Sequence, residues 1–154
     1  MPLTLVSPAF ADGERLPEKY TRDGENLSPP LKWTGVPEGT KSFVLIIEDP
    51  DAPSGTFHHW GLSNIPADWD TLAESVETGP DKARLRVSGN DFGNTHYDGP
   101  EPPRGHGPHR YFFRLAALDV PSIELPSEAG IAALWKEAGK HKLEEATLLG
   151  TYER

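Results

Sequence analysis

The 154-residue sequence contains no cysteine and only one methionine. Without cysteine, the protein can have no disulfide framework, no thiolate nucleophile and no cysteine-based metal site. The sequence also lacks a run of about 20 apolar residues, which a membrane-spanning helix requires. Its first residues, Met1 to Val6, show no basic start followed by a long apolar stretch, so we expect no signal peptide and a cytoplasmic protein.

Positive charge is scarce. The chain has 15 Lys and Arg against 24 Asp and Glu, which gives a formal net charge of −9. A surface this acidic repels nucleic-acid phosphates and anionic lipid head groups, so we expect no nucleic-acid partner and no stable membrane binding. One phosphate in a pocket is still compatible with this charge, because local donors can outweigh the average field.

The composition is that of a globular protein, and we expect one domain over residues 1–154. We find no internal repeat and no linker. The 16 prolines and 15 glycines are scattered among apolar runs, a pattern typical of an ordered domain with many turns and long loops. The strand and helix patterns below predict a mostly β fold with peripheral α structure.

Two extended segments flank an acidic turn. The unbroken apolar run Phe43–Ile47 predicts a central strand buried on both faces. Residues 48–55 end this strand, because their two prolines and one glycine cannot continue a sheet. We therefore place Asp49 and Asp51 at the strand end and in the loop beyond it. Residues 56–65 resume an extended pattern, which Pro66 closes.

A third strand is predicted over His109–Leu118, where apolar residues fill one face in strict alternation. The segment 88–108 before it is rich in glycine and proline. It is too long for an ordinary connection, and long ordered loops often carry function.

One helix is predicted late in the chain, with Ser127 as its N-cap and Gly139 as its end. Its buried stripe follows helical spacing and comprises Ile131, Leu134, Trp135 and Ala138. We expect a further helical turn at 143–146 and a last strand at 147–152.

The histidines suggest an anion site. Adjacent strand residues point to opposite faces, so one of His58 and His59 faces inward. A strand-end carboxylate nearby favours the cationic form of such an imidazole. His109 follows the Gly/Pro loop, whose backbone N–H groups could add further donors. The residues alone leave open that these histidines are ordinary hydrogen-bonded side chains.

Two blocks of sequence carry a family resemblance. They are Asp-Pro-Asp-Ala-Pro at 49–53 with His59 closing the His-His pair, and Gly-x-x-Pro-Pro-x-Gly-x-x-x-His-Arg-Tyr at 99–111. They resemble the signature blocks of the phosphatidylethanolamine-binding proteins, also called the Raf kinase inhibitor family. The resemblance is closest to the bacterial and archaeal branch and runs in order along nearly the whole chain.

This resemblance implies a central antiparallel sheet packed on a smaller second sheet, with an anion cavity at one sheet end. The residues that it places at the cavity are Asp49, His59, Pro102, Pro103, His109 and Tyr111. The two imidazoles would donate to a phosphate-like group, and Asp49 would set their protonation and orientation. Asp51 would brace the loop and Trp60 would belong to the core. Glu101 stands where we expect a small residue in many relatives.

The resemblance further implies a non-catalytic binder of a small anionic or phosphorylated ligand, without cofactor or metal. It would regulate or inhibit a protein partner such as a kinase or protease, and a homodimer is an option. Three alternatives stay open. Asp49, His59 and His109 have the composition of an iron-binding facial triad, with His96 and His106 in the loop near His109. An imidazole could serve a hydrolase as base, and the P-x-x-P segment at 100–103 could bind an aromatic groove.

Overall fold

The computed structural model describes residues 2–154. These residues form eight strands, one α-helix and three short 3₁₀ helices. The strands are β1 (Thr4–Val6), β2 (Leu31–Thr34), β3 (Ser42–Asp49), β4 (Phe57–Pro66), β5 (Thr71–Leu72), β6 (Arg86–Val87), β7 (His109–Leu118) and β8 (Lys142–Tyr152). The helix α1 spans Ile131–Gly139, and the 3₁₀ helices span Glu18–Tyr20, Val76–Thr78 and Pro80–Arg84. Among the described residues, no helix combines the length and apolar character needed to cross a membrane.

The strands form two antiparallel sheets. The larger has five strands in the order β6-β4-β3-β7-β8, and the smaller has three in the order β1-β2-β5. This confirms the expected mostly β architecture of a central sheet and a smaller second sheet. The central position of β3 explains its sequence, since both of its faces are covered and its apolar residues are fully buried.

Two apolar clusters cover the two faces of the central sheet. The main core lies on the side of the smaller sheet, where the rings of Trp33 and Phe43 pack with centroids 5.3 Å apart. Helix α1 covers the other face through its buried residues Ile131, Leu134 and Ala138. Burial of each large side chain of this kind stabilises the fold by about 1.5–3 kcal/mol.

Two predictions near the C-terminal end were wrong. The helix begins at Ile131 with Gly130 at the N-cap position, and Ser127 does not cap it, because it lies three residues before that position. Residues 143–146 are not helical and belong to β8. There Glu145 pairs with Ala116 of β7 in the ladder, and its carboxylate accepts a hydrogen bond from Arg114. The ladder overrides the local helix preference of this segment.

Candidate functional site

A β-bulge in β4 places the inward-facing histidine. Ile47 of β3 pairs with Trp60, and the next residue, Glu48, pairs with His58. His59 is therefore an extra residue in β4, and the bulge lets both His59 and Trp60 face the main core. Trp60 is fully buried in that core, as expected, whereas His59 lines a cavity at the end of the sheet.

His58 occupies the opposite face, as strand alternation predicts. Its ring lies 3.1 Å from Asp91 and 3.7 Å from Glu48 and does not line the cavity. The structure thus assigns the two adjacent histidines to two different environments.

The cavity has a volume of about 240 Å³ and lies where β3, β4 and β7 meet the loops of residues 50–56 and 88–108. All six residues predicted for the site line it. The complete lining comprises Asp49, Ala52, Pro53, Ser54, Phe57, His59, Phe92, Glu101, Pro102, Pro103, His109 and Tyr111. That these residues bind a ligand stays a prediction.

The His109 side chain is 2% exposed, and each of its ring nitrogens has a hydrogen-bond partner. Its Nδ1 lies 2.6 Å from the Asp49 carboxylate, and its Nε2 lies 2.6 Å from Nδ1 of His106. An ionised carboxylate only accepts hydrogen bonds, so Nδ1 of His109 carries a hydrogen toward Asp49. The predicted orientation of His109 by Asp49 therefore agrees with this geometry.

His59 is held differently from what we expected. Its Nδ1 lies 2.9 Å from the backbone carbonyl oxygen of Asp98, and Asp49 makes no hydrogen bond to it. Burial lowers the pKa of His59, although the charges of Asp49 and Asp98 oppose this effect. The expectation of a cationic His59 was wrong, because desolvation outweighs the nearby carboxylates.

The Asp98 backbone is fixed by its own side chain. Its carboxylate accepts hydrogen bonds from the side-chain amides of Asn90 at 2.8 Å, Asn94 at 2.9 Å and Asn26 at 3.3 Å. Burial alone would raise the pKa of Asp98, but these bonds hold it below its ordinary value. The ionised network anchors the loop whose carbonyl group orients His59.

Tyr111 brings a hydroxyl group into the site. The side chain is fully buried, and its hydroxyl lies beside the Asp49 carboxylate without forming a hydrogen bond of ordinary geometry to any of residues 2–154. Burial and the neighbouring Asp49 charge raise the pKa of Tyr111, so the phenol stays neutral and can donate. An unpaired buried hydroxyl costs free energy, and a ligand that accepts from it would recover this cost.

Glu101 lines the cavity with a partly exposed carboxylate. Arg22 lies 3.2 Å from this carboxylate, and its guanidinium group stacks over the ring of Phe92, 4.4 Å from its centroid. The carboxylate therefore remains at the cavity with its charge partly balanced. This ion pair reduces the electrostatic repulsion between Glu101 and an anion in the cavity.

Asp51 braces the loop, as the resemblance implied. Its carboxylate accepts hydrogen bonds from the backbone N–H, Nε and Nη2 of Arg110 at 2.9–3.0 Å. These hydrogen bonds connect the loop after β3 to the beginning of β7, next to His109.

The alternatives meet specific obstacles. Within the part of the chain that the structure describes, no three His, Asp or Glu side chains are grouped to hold a metal ion. Asp49 and His109 bond directly to each other, and His96 points its Nδ1 at the carbonyl group of Tyr97. In the P-x-x-P segment, Pro100 is buried and Pro103 is exposed, so an aromatic groove could reach only one of the two prolines of the pattern.

Several site residues were missed from sequence. Phe57 shares the strand face of His59 two residues away, a signal that alternation could have supplied. The contact of His106 with His109 had no such signal, because it depends on the path of a loop that turns at Gly105 and Gly107 with positive φ. The same holds for the Asp98 carbonyl group that orients His59.

Comparison with known proteins gives a consistent result. Residues 6–153 match the family model described as phosphatidylethanolamine-binding protein. The chain is 47% identical to a UPF0098 protein of Methanothermobacter thermautotrophicus over 156 residues, which covers 99% of both chains. It is 45% identical to a UPF0098 protein of Aquifex aeolicus over 152 residues, which covers 99% of this chain and 89% of that relative.

Solved structures agree with the fold. Escherichia coli YbcL, described as a new member of the mammalian PEBP family, superposes with a TM-score of 0.90 at 32% identity and covers 100% of this chain and 99% of its own. A protein described as a phosphatidylethanolamine-binding protein homologue, from Chlamydia trachomatis, gives a TM-score of 0.87 at 34% identity, with 99% of this chain and 98% of its own covered.

Proposed function

Given that the chain belongs to the phosphatidylethanolamine-binding protein family, we propose that it binds a small anion of the phosphate class in the cavity between His59 and His109. The ligand would be inorganic phosphate or the phosphate of a head group. The protein would act by binding, without catalysis and without a cofactor.

The observation that carries this proposal is the buried Tyr111 hydroxyl, which lies beside Asp49 and makes no hydrogen bond of ordinary geometry among residues 2–154. A buried hydroxyl without a hydrogen-bond partner is unfavourable by about 1–3 kcal/mol, and it is tolerated where a ligand completes it. Tyr111 lies on the same strand face as His109, two residues away, and both line the cavity. A phosphate oxygen accepting from Tyr111 would also come within reach of His109.

His109 would supply the second donor through Nε2, which requires the imidazolium form, because Nδ1 already carries the hydrogen toward Asp49. In the structure its Nε2 contacts His106, an exposed side chain in a glycine-flanked loop. An anion entering the cavity would take the place of His106 at this nitrogen. Asp49 keeps the ring oriented during this exchange, because it holds the opposite nitrogen.

We propose that ligand binding is transmitted to a protein partner, such as a kinase or protease. The exposed residues 103–106 adjoin the cavity wall and form the surface where a partner could sense its occupancy. The expected consequence is that phosphate changes the affinity for a captured partner, and that His109→Ala abolishes this dependence.

Thermal unfolding with and without millimolar phosphate tests the binding proposal. A ligand at about 100 times its dissociation constant stabilises the folded state by about 2.7 kcal/mol. After chelator treatment, the parent protein should shift and His109→Ala should not. His58→Ala is the matched control, because His58 lies on the other face of the sheet, and it should shift like the parent. No shift in any of the three proteins would refute the proposal.

A hydrolase is the second candidate, and the Asp49–His109 contact is the observation that favours it. A carboxylate on Nδ1 orients an imidazole so that Nε2 can act as a general base. Hydrolysis of chromogenic phosphate and carboxylate esters, measured for the parent and for Asp49→Asn, distinguishes a hydrolase from a binding protein. Turnover that the substitution removes would favour the hydrolase over the binder.

A further inference from the structure

We infer that the cavity prefers ligands that carry a hydroxyl proton. It therefore binds a phosphomonoester in its monoanionic form more tightly than the corresponding sulfate ester. The inference rests on the proposed function and specifies its ligand class. Its basis is the orientation of one ring, His59, which turns an acceptor nitrogen to the cavity.

The contact with Asp98 determines where the His59 hydrogen lies. A backbone carbonyl oxygen can only accept, so Nδ1 of His59, at 2.9 Å from it, must be the N–H donor. The neutral ring then carries a lone pair on Nε2. This nitrogen makes no hydrogen bond within residues 2–154, and His59 lines the cavity.

The surroundings of His59 favour the neutral ring. The side chain is 4% exposed, and the rings of Phe57, Phe92 and Tyr111 lie with centroids 5.0–5.5 Å from its own. The carboxylates of Asp49, Asp91 and Asp98 favour the cation, but burial outweighs them and lowers the pKa of His59. Near neutral pH, the ring therefore accepts a hydrogen bond and does not donate one.

Acceptors also predominate among the other polar groups of the cavity. The carboxylates of Asp49 and Glu101 line it, and Arg22 and Arg110 are paired with Glu101 and Asp51 behind it. The donors that the lining offers are the hydroxyl groups of Tyr111 and Ser54, and Nε2 of His109 becomes available once an anion displaces His106.

A ligand whose oxygen atoms all act as acceptors would therefore face the Nε2 lone pair of His59, and no hydrogen would lie between the oxygen and the nitrogen. A phosphomonoester avoids this conflict. Its second pKa is about 6, so a P–O–H group is available near neutral pH. That hydroxyl would donate to Nε2 of His59 while another oxygen accepts from Tyr111. A sulfate ester has the same tetrahedral shape but carries no proton in this pH range, so its oxygen and the His59 nitrogen would repel each other.

Methyl phosphate and methyl sulfate are the probes, since at pH 6 the monoanion of the first differs from the second by one proton. Isothermal titration should show methyl phosphate binding roughly 10- to 100-fold more tightly, as expected for one hydrogen bond to a charged group. Equal affinity would overturn the inference and leave the anion site intact. If neither compound binds at millimolar concentration, the proposed function fails and the inference fails with it.

Substitution of His59 assigns the discrimination to its ring. Gln in place of His59 can turn either its N–H₂ or its carbonyl oxygen to the ligand. His59→Gln should therefore reduce the preference for methyl phosphate to less than about 3-fold. His58→Gln, a change to the adjacent residue on the other sheet face, should retain the parent preference. A preference unchanged in His59→Gln would contradict the role given to His59.

Proton uptake provides a measurement that does not depend on the variants. At pH 7.5 a phosphomonoester is mostly dianionic, so binding as the monoanion should take up about one proton per methyl phosphate. Titrations in two buffers of different ionisation enthalpy measure this number. Methyl sulfate should take up about one proton fewer, because any protonation of His109 on binding is common to both ligands. The same uptake with both compounds would show that a histidine takes the proton, which would overturn the inference.

Discussion

Nδ1 of His106 and Nε2 of His109 lie 2.6 Å apart. The exposed His106 ring thus occupies the one nitrogen of the buried His109 ring that Asp49 does not contact. One hydrogen lies between the two nitrogens. Either ring can supply that hydrogen, depending on its tautomer. His106 thus competes with any ligand that requires His109.

Removal of this competitor should strengthen ligand binding. We expect His106→Ala to bind phosphate roughly 2- to 10-fold more tightly than the parent at pH 6, since a net hydrogen bond of about 0.5–1.5 kcal/mol no longer has to be broken. Isothermal titration measures the change. His96→Ala, which removes an exposed histidine outside the cavity lining, is the control. Weaker binding by His106→Ala would mean that His106 itself holds the ligand.

Tyr111→Phe should separate binding from stability. The lost hydroxyl makes no hydrogen bond of ordinary geometry among the described residues and has only the Asp49 carboxylate beside it, so the free energy of unfolding in urea should change by less than about 1 kcal/mol, while phosphate affinity falls. Tyr97→Phe is the matched contrast. Its hydroxyl donates to the carbonyl group of Tyr20 at 2.6 Å, and its loss should destabilise the fold by about 1–3 kcal/mol. Equal destabilisation by both changes would contradict this assignment.

Stability should fall as the pH falls through the histidine range. Burial lowers the pKa of His59 below its ordinary value of about 6.5. The unfolded chain therefore takes up a proton at a higher pH than the folded one does. The stability linked to His59 is fully present above pH 6.5 and is lost as the pH drops through the lowered pKa.

His59→Gln should reduce the decrease in free energy of unfolding measured between pH 7.5 and pH 5. His58→Gln controls for the loss of a histidine as such. An unchanged decrease in His59→Gln would show that other groups determine the pH dependence in this range.

Gly99 lies at a close approach of two chain segments. A Cβ atom at this position would overlap the backbone oxygen of Tyr20, and neither segment can yield without moving the loop that leads to Pro102. We expect Gly99→Ala to lower the free energy of unfolding by about 1–3 kcal/mol. Gly139→Ala in helix α1 meets no atom within 4 Å and should raise it by about 0.5–1 kcal/mol. Denaturant unfolding of both variants tests the contrast.

The strands were predictable wherever side-chain alternation and chain breakers agree. Strand β7 spans the predicted residues His109–Leu118, because Pro108 precedes it and its apolar face alternates without interruption. Residues 143–146 misled the prediction, since Leu, Glu and Ala favour helices. Only the pairing of this segment with β7 makes it a strand, and that pairing is not visible in the local sequence.

The residues that line the site were predictable from the sequence, but the hydrogen bonds between them were not. The family resemblance named six residues that the fold brings to one cavity. The partners of the two histidines were less accessible. Asp98 holds His59 through a backbone oxygen, and His106 reaches His109 from a turning loop. Both contacts depend on loop conformation, which residue types alone do not determine.

The bulge in β4 also has an evolutionary consequence. His59 is one residue more than the ladder between β3 and β4 requires, so the sheet register on either side of it is complete without it. A chain could therefore acquire or lose this imidazole by the insertion or deletion of a single codon, while the pairs Ile47–Trp60 and Glu48–His58 are kept. The pairing register of β3 and β4 therefore does not constrain which residue lines the cavity at this position.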